Sequence, residues 1–428
     1  MPSEHTKSNA TVVRSTFFYG WVIVAVSTIL LTMQAGIFYS FGVFFKPIAA
    51  DFGWNRALTS GVHSVLMLSH GFSSALMGWL ADRFGPVKVM VFCAFAIGVG
   101  LILTSQTSAL WQFYITYGLL VGMGTSGGMP ITTGTTARWF VKRRGLALGI
   151  VSAGVGLGTL IVLPMTERLI AAFTWSGAYF ILGLAAWVVM TLSALFLRRD
   201  PEGMGYQAYG VSRPLAEADA DDSSEINYAA SDSGISLQAA VRTRPLWLLS
   251  FAFLLFSFCL QMIMVHLVNY ATDLGITPLV AATLLSVVGI GSMLGRLAMG
   301  AASDRIGSSN ALAICCLVLS ISILWLVFTK ELWMFYIFAI VFGFAYGGEV
   351  PQMAALVGRL FGLRSVAALV GIVLGGTSMG GALGSWVGGR IFDVTGSYQI
   401  AFTIAVVVSV AALILVLTLR RGRTAISN

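Results

Sequence analysis

Charged residues are scarce in this 428-residue sequence. They make up only 10% of it, whereas 57% of the residues are hydrophobic and the mean hydropathy is +0.88. A soluble globular chain needs more polar surface than this, so the composition excludes a soluble protein and indicates an integral membrane protein. Cysteine is also scarce. All four cysteines fall in apolar segments without metal-ligand spacing, so we expect neither a disulfide framework nor a metal site.

Basic residues outnumber acidic ones, which gives a formal net charge of +8 and a pI near 9.5. Such a charge can indicate nucleic-acid binding. Here the basic residues form short clusters between apolar segments, where they orient a chain in a bilayer. We therefore expect the lipid bilayer and not nucleic acid as a partner. The sequence contains no zinc-binding HExxH helix and favours neither an enzyme nor a bound cofactor.

Twelve apolar segments, each long enough to cross a bilayer as a helix, follow one another along the chain. They occupy residues 19–45, 58–80, 88–105, 110–137, 145–166, 175–197, 246–270, 279–302, 310–328, 332–356, 365–388 and 399–419. This pattern predicts an all-α membrane protein with twelve transmembrane helices in two six-helix bundles. The expected divisions are an N-terminal tail (1–18), a first bundle (19–197), a polar linker (198–245), a second bundle (246–419) and a C-terminal tail (420–428).

Lysine and arginine are divided unevenly between the two ends of these segments. With the N-terminus in the cytoplasm, nineteen of the 25 lie on the cytoplasmic side, five lie outside, and Arg296 lies within the eighth segment. Loops rich in lysine and arginine remain in the cytoplasm. We therefore expect a multi-pass protein of the plasma or bacterial inner membrane, with both termini and the linker in the cytoplasm.

The two halves of the chain repeat each other at a displacement of 222 residues. The motif Gly-x-x-x-Asp-Arg-x-Gly occurs at 78–85 and again at 300–307, and glycines of the fifth segment recur in the eleventh. Such a repeat predicts two pseudo-symmetric bundles with the substrate between them. Aspartates at helix ends can cap neighbouring helices and pair with arginines, so the motifs are candidate gating loops. Their residues are Gly78, Asp82, Arg83, Gly85, Gly300, Asp304, Arg305 and Gly307.

The twelve segments, the linker and the motif at Gly78–Lys88 together resemble the major facilitator superfamily over nearly the whole chain. Two stretches resemble its monocarboxylate transporter family: Phe18–Val24, at the start of the first helix, and Arg138–Gly149, which carries the basic signature Lys142, Arg143 and Arg144. The resemblance implies a secondary active transporter of small monocarboxylates, such as lactate or pyruvate. It implies alternating access and proton symport, and we expect a monomer to be functional.

Two alternatives to proton symport of monocarboxylates stay open. One is an organic-anion exchanger of the oxalate/formate type, although the lysine that such exchangers carry in helix eleven has no counterpart between Ser365 and Gly389. The other is an exporter of a larger amphipathic compound.

Arg296 lies eight residues before Asp304, or about 12 Å inside the boundary of a hydrocarbon core about 30 Å thick. An arginine at that depth is costly and normally binds something, and its planar fork of donors matches a carboxylate. In the family that the chain resembles, a substrate-binding arginine occupies this place. That family's aspartate one turn earlier is replaced here by Ser292, and its lysine in the first helix by Tyr39.

Glu349 is the only acidic side chain within a predicted segment, at a depth close to that of Arg296. Since Ser292 cannot serve as a proton acceptor, Glu349 is a candidate for proton coupling, with a structural ion pair as the alternative. His266 is a second candidate, because histidine titrates in the useful range. Tyr346, Tyr39 and Tyr117 are candidate hydrogen-bond donors to the substrate, and ordinary packing is the alternative for Tyr346 and Tyr117.

Overall fold

The computed structural model describes residues 18–140, 143–210, 237–361 and 366–421, and this part of the chain is helical almost throughout. The helices of the first half are α1 (Gly20–Phe52), α2 (Arg56–Phe84), α3 (Pro86–Thr104), α4 (Leu110–Phe113), a π-helix (Tyr114–Val121), α5 (Gly122–Thr125), α6 (Gly128–Trp139) and α7 (Arg144–Leu195). A 3-10 turn (Glu202–Met204) follows. The remaining helices are α8 (Leu237–Val241), α9 (Arg244–Asp273), α10 (Pro278–Ile306), α11 (Ser308–Val327), α12 (Leu332–Phe361), α13 (Val366–Thr395) and α14 (Gln399–Arg421).

Nine helices in the described part of the chain are long and apolar enough to span a membrane. One of them, α7, contains the fifth and sixth predicted segments, which meet at a non-helical residue, Thr174, with φ 62° and ψ 174°. The second segment is the less apolar α2, and the fourth is divided among α4, the π-helix, α5 and α6. The predicted fold of twelve transmembrane helices in two six-helix bundles is confirmed.

The two halves pack their helices in equivalent ways, as the internal repeat predicts. Gly154 in α7 lies against α1, where an added Cβ would come within 2.7 Å of the carbonyl oxygen of Thr28. Gly376 in α13 lies against α9, where an added Cβ would come within 3.1 Å of the carbonyl oxygen of Ser250. Both the glycines and their partners are 222 residues apart, so small residues bring equivalent helix pairs into backbone contact.

The loop motifs form equivalent turns in the two halves. Gly85 ends α2 with a φ of 93°, and Gly307 ends α10 with a φ of 83°. Residues with a side chain rarely adopt such a positive φ, which explains why each motif ends in glycine. Both turns lead directly into the next helix.

The beginning of the predicted linker packs against the first bundle. The backbone amide of Tyr209 donates to the carbonyl oxygen of Trp139 at 2.9 Å, and Phe140 and Tyr209 form an isolated parallel bridge. The ring of Phe18 contacts the rings of both residues of that bridge. Residues 211–236 of the linker lie outside the described residues.

The bundles touch at one end of the molecule and separate towards the other. We call the first the Lys46 end and the second the Arg83 end. Towards the Lys46 end, α2 meets α13 through the hydroxyls of Ser64 and Ser385, 2.9 Å apart, and Ser286 of α10 bonds to the backbone of α7. Towards the Arg83 end, a cavity of about 570 Å³ is lined by α2, α9 and α13, and one of about 670 Å³ is lined by α7, α10 and α12.

Candidate functional site

Four of the side chains singled out in the sequence meet between the two bundles: Arg296 on α10, Tyr346 and Glu349 on α12, and Tyr39 on α1. We call them the central group. The guanidinium carbon of Arg296 lies 5.8 Å from the centre of the Tyr346 ring. The hydroxyls of Tyr346 and Tyr39 lie 2.6 Å apart, so the group includes a hydrogen bond between the bundles.

Arg296 retains hydrogen-bonding capacity in this arrangement. Its Nη1 donates to the backbone carbonyl oxygen of Ser152 on α7, whereas its Nε is buried and has no hydrogen-bond partner among the described residues. The side chain is half-buried and lies on the wall of the cavity between α7 and α10. A guanidinium has five N–H donors, so several remain for a ligand.

Glu349 is buried, with 6% of its surface exposed, and it lies near the guanidinium of Arg296 and the ring of Tyr39. The ion pairs found among the described residues do not include one between Glu349 and Arg296. Beside them, the buried hydroxyl of Ser292 has no hydrogen-bond partner in the described part of the chain. Glu349 and Ser292 are thus buried polar groups near Arg296 on the same two packed helices.

Close contact between α10 and α12 holds three members of the central group together. Glycines on each helix face the backbone of the other, so that a Cβ at any of them would collide with a carbonyl oxygen. The pairs are Gly291 with Ile340, Gly295 with Phe344, Gly343 with Val288, and Gly347 with Ser292. Our sequence analysis missed this contact, although the G-x-x-x-G spacing in both helices is its usual signal.

Tyr117 and His266 lie in other surroundings. Tyr117 is fully buried against the rings of Phe41 and Tyr179, and its hydroxyl donates to the carbonyl oxygen of Ile37 at 3.3 Å. His266 is 3.1 Å from the Tyr398 hydroxyl and 2.9 Å from the Ser385 carbonyl oxygen. Both tether their side chains by hydrogen bonds outside the central group.

An ion-pair network that sequence analysis did not predict joins the bundles at the Lys46 end. Asp273, at the end of α9, pairs with Lys46 of α1 at 2.6 Å and with Arg56 of α2 at 2.9 Å. The guanidinium of Arg56 also lies 3.5 Å above the ring of Phe392 and donates to the Tyr398 hydroxyl. The same cation thus links α2 to α9, to α13 and to the residue that precedes α14.

Asp393, on α13, caps the N-terminus of α2 across the boundary between the bundles. Its two carboxylate oxygens accept from the backbone amides of Arg56 at 2.8 Å and Ala57 at 2.7 Å. These amides belong to the first turn of α2 and therefore have no acceptor within the helix. A negative charge at this end also interacts favourably with the helix dipole. A second cap comes from the same bundle, because Asn55 accepts from the amide of Leu58 at 2.8 Å.

Comparison with known proteins places this architecture in a family. A profile described as "Major Facilitator Superfamily" matches residues 24–308 and, in a second alignment, residues 262–427. The chain belongs to the major facilitator superfamily. It is therefore a membrane transporter of that superfamily, with small molecules as its substrates.

Relatives of this facilitator include monocarboxylate transporters. It is 27% identical to "Monocarboxylate transporter 13" of Bos taurus over 397 residues, which cover 90% of this chain and 86% of that protein. It is 24% identical to "Monocarboxylate transporter 12" of Xenopus laevis over 406 residues, with coverages of 90% and 85%. A solved bacterial homologue of the human lysosomal transporter Spinster, inward-facing and occupied, has a TM-score of 0.70 and 16% identity, with coverages of 95% and 98%. The predicted resemblance to monocarboxylate transporters is thus confirmed.

The loop motifs of this facilitator lie at the Arg83 end, on the last turns of α2 and α10. Arg83 stacks over Trp79, with 5.4 Å between the guanidinium carbon and the ring centre, and Arg305 is exposed. Gly78 and Gly300 precede these arginines within the same helices. The side chains of Asp82 and Asp304 lie outside the described part of the structure.

The basic signature before the fifth segment is described only in part. Arg143 is exposed and precedes α7 with a left-handed φ of 62°. Lys142 and the side chain of Arg144 lie outside the described residues. A gating role for this signature and for the loop motifs stays a prediction.

Proposed function

We propose that this facilitator transports monocarboxylates, the class that includes lactate and pyruvate, by alternating access and proton symport. The observation that carries the proposal is the position of Arg296. Its guanidinium reaches a cavity between the bundles while one of its nitrogens still lacks a partner among the described residues. A carboxylate bound there would accept two parallel N–H bonds, the geometry in which arginine binds carboxylates best.

The tyrosine pair provides a second contact for the substrate. Tyr346 lies over Arg296, and its hydroxyl is shared with Tyr39 of the opposite bundle. A substrate oxygen near Arg296 can accept a hydrogen bond from the hydroxyl of one of these tyrosines. That hydroxyl then no longer donates to the other tyrosine. Binding would then alter a contact between the bundles, which is what coupling of binding to bundle movement requires.

Glu349 is the proposed proton carrier. Its carboxylate and the incoming substrate would both interact with the positive charge of Arg296. Protonation of Glu349 removes a negative charge that competes with the substrate for Arg296, so each monoanion enters together with one proton. The loaded protein then carries no uncompensated charge through the apolar core as the bundles rearrange.

The orientation proposed here places the Arg83 end in the cytoplasm of the plasma or bacterial inner membrane, where the positive-inside rule puts basic loops. The ion-pair network then closes the outer face, and the separation of the bundles opens the inner face. His266 belongs to the hydrogen-bonded outer closure, through Tyr398. We expect a monomer to complete the cycle, because the central group is built within a single chain.

Reconstitution into liposomes tests the proposal. Wild-type protein should catalyse counterflow of radiolabelled lactate and accumulate it when the lumen is made alkaline. Arg296→Lys should lose most of this activity, because lysine keeps the charge and loses the planar fork. Wild-type uptake by Arg296→Lys would overturn the assignment of the anchor. Uptake that requires an internal anion and ignores the pH gradient would indicate an exchanger.

A further inference from the structure

The cavity beside Arg296 is much larger and more apolar than a three-carbon acid needs. It measures about 670 Å³ and lies between α7 and α10, with α12 behind it. Among the residues that line it, Arg296 is the only charged one, and most of the others are aliphatic or glycine. Its walls include Ile150 and Ala153 of α7, Met293 and Leu297 of α10, and Val350 of α12.

Pockets of roughly 300–1,000 Å³ hold drug-sized ligands, whereas lactate has only three carbons. A carboxylate on Arg296 would leave most of this cavity in contact with the substrate's other substituents or with water. Apolar walls gain free energy in proportion to the apolar area that a ligand covers. The combination of a single cation with apolar walls matches an amphipathic anion.

We propose that the cavity is a subsite for an apolar substituent, and that the preferred substrates are monocarboxylates with a branched alkyl or aryl group. This inference rests on the proposed function, because it requires the carboxylate to bind Arg296. The substituent would extend from Arg296 towards the Arg83 end, along Gly149 and Leu297. Selectivity then arises from the cleft between α7 and α10, and charge recognition arises from α10.

A ligand series on the purified full-length protein tests the subsite. Dissociation constants are measured by isothermal titration calorimetry for propionate, 4-methylpentanoate and 3-phenylpropionate, with the neutral 3-phenylpropanamide as the control for charge. We expect 3-phenylpropionate to bind at least tenfold more tightly than propionate, with 4-methylpentanoate between them. The amide should bind at least tenfold more weakly than the corresponding acid.

Gly149 allows the cavity to be filled without disturbing its walls. It lines the cavity, and an added Cβ there would meet nothing within 4 Å. In Gly149→Leu, the dissociation constant of propionate should be less than three times that of 3-phenylpropionate. In Gly149→Ala, this ratio should lie between the Gly149→Leu value and the wild-type value. Gly371 is its counterpart in the second bundle, with equally open surroundings but away from this cavity. Gly371→Leu should keep the wild-type ratio.

The possible outcomes separate the subsite from the proposed function. Equal affinities for propionate and 3-phenylpropionate in the wild type, with both lost in Arg296→Ala, would overturn the subsite and leave monocarboxylate binding intact. Binding of the amide as tightly as the acid would overturn both, because charge would play no part. A wild-type ratio in Gly149→Leu would place the apolar group elsewhere. Loss of the ratio on addition of phospholipid to the micelles would assign the cleft to lipid and overturn the subsite.

Discussion

Replacement of Asp393 should open the Lys46 end of the transporter. The carboxylate of Asp393 is the only partner across the bundle boundary that the described residues provide for the backbone amides of Arg56 and Ala57. These bonds form only while α2 and α13 are together. Asp393→Ala removes both of them, whereas Asp393→Asn keeps one acceptor and loses the charge.

The expected size of the effect follows from these two bonds. A hydrogen bond to a charged group contributes about 1.5–3 kcal/mol, and partial exposure of Asp393 reduces the sum for two bonds to about 2 kcal/mol. A change of about 2 kcal/mol shifts the ratio of closed to open molecules roughly thirtyfold. Asp393→Asn should shift it about fivefold, so the two variants form a graded series.

The shift can be measured by double electron–electron resonance between spin labels on the two bundles. Ala50 on α1 and Leu274 just after α9 are both exposed at the Lys46 end and can be replaced by cysteine for labelling. The four native cysteines are buried in the described structure and should not react. The population at the longer distance should increase in the order wild type, Asp393→Asn, Asp393→Ala.

Asn55→Ala is the matched control. Asn55 caps the same helix from within its own bundle, so its loss should lower the melting temperature without changing the distance distribution. An unchanged distribution in Asp393→Ala would refute the argument that this cap holds the bundles together. A shift in Asn55→Ala as large as that in Asp393→Ala would refute it equally, because fraying of α2 would then be the cause.

Three further variants test the central group and the loop motifs. Glu349→Gln should bind monocarboxylates with little pH dependence and exchange them, but should not accumulate them under a pH gradient; accumulation would place the proton site elsewhere. Gly347→Val presses a side chain against the Ser292 carbonyl and should cost about 1–3 kcal/mol of stability, whereas Gly371→Val should not; equal melting temperatures would contradict the packing argument. Asp82→Asn should favour states open at the Arg83 end, and unchanged labelling of a cysteine placed in the cavity would count against gating.

Much of the fold and the four members of the central group were accessible from the sequence, because the bilayer imposes regular lengths on helices. Counting residues inward from the cytoplasmic ends of their segments placed Arg296 and Glu349 at similar depths, and both lie in the central group. The three-residue spacing of Tyr346 and Glu349 put them on one face of a helix. The displacement of 222 residues anticipated the equivalent glycine contacts of the two bundles.

The remaining contacts depend on partners that leave no local signal. The acceptor for Arg296 is the backbone carbonyl of Ser152, and any residue could supply it. Asp393 caps a helix that begins 337 positions earlier in the chain, so neither segment indicates the other. The fifth and sixth segments are joined by the single non-helical residue Thr174, and neither Thr174 nor the two residues on either side of it is a glycine or proline, which would indicate so short a connection.

The glycine contacts between α10 and α12 have a consequence for the direction of transport. Backbones that touch without intervening side chains cannot slide past each other easily, so these two helices should rotate as one body. Arg296, Tyr346 and Glu349 then keep their mutual distances throughout the cycle, while Tyr39 approaches and leaves with the other bundle. The carboxylate of a substrate therefore meets the same partners in the second half from either face of the bilayer. We expect nearly equal affinities on the two sides for small monocarboxylates that do not reach α7, and a carrier whose net flux reverses whenever the gradients reverse.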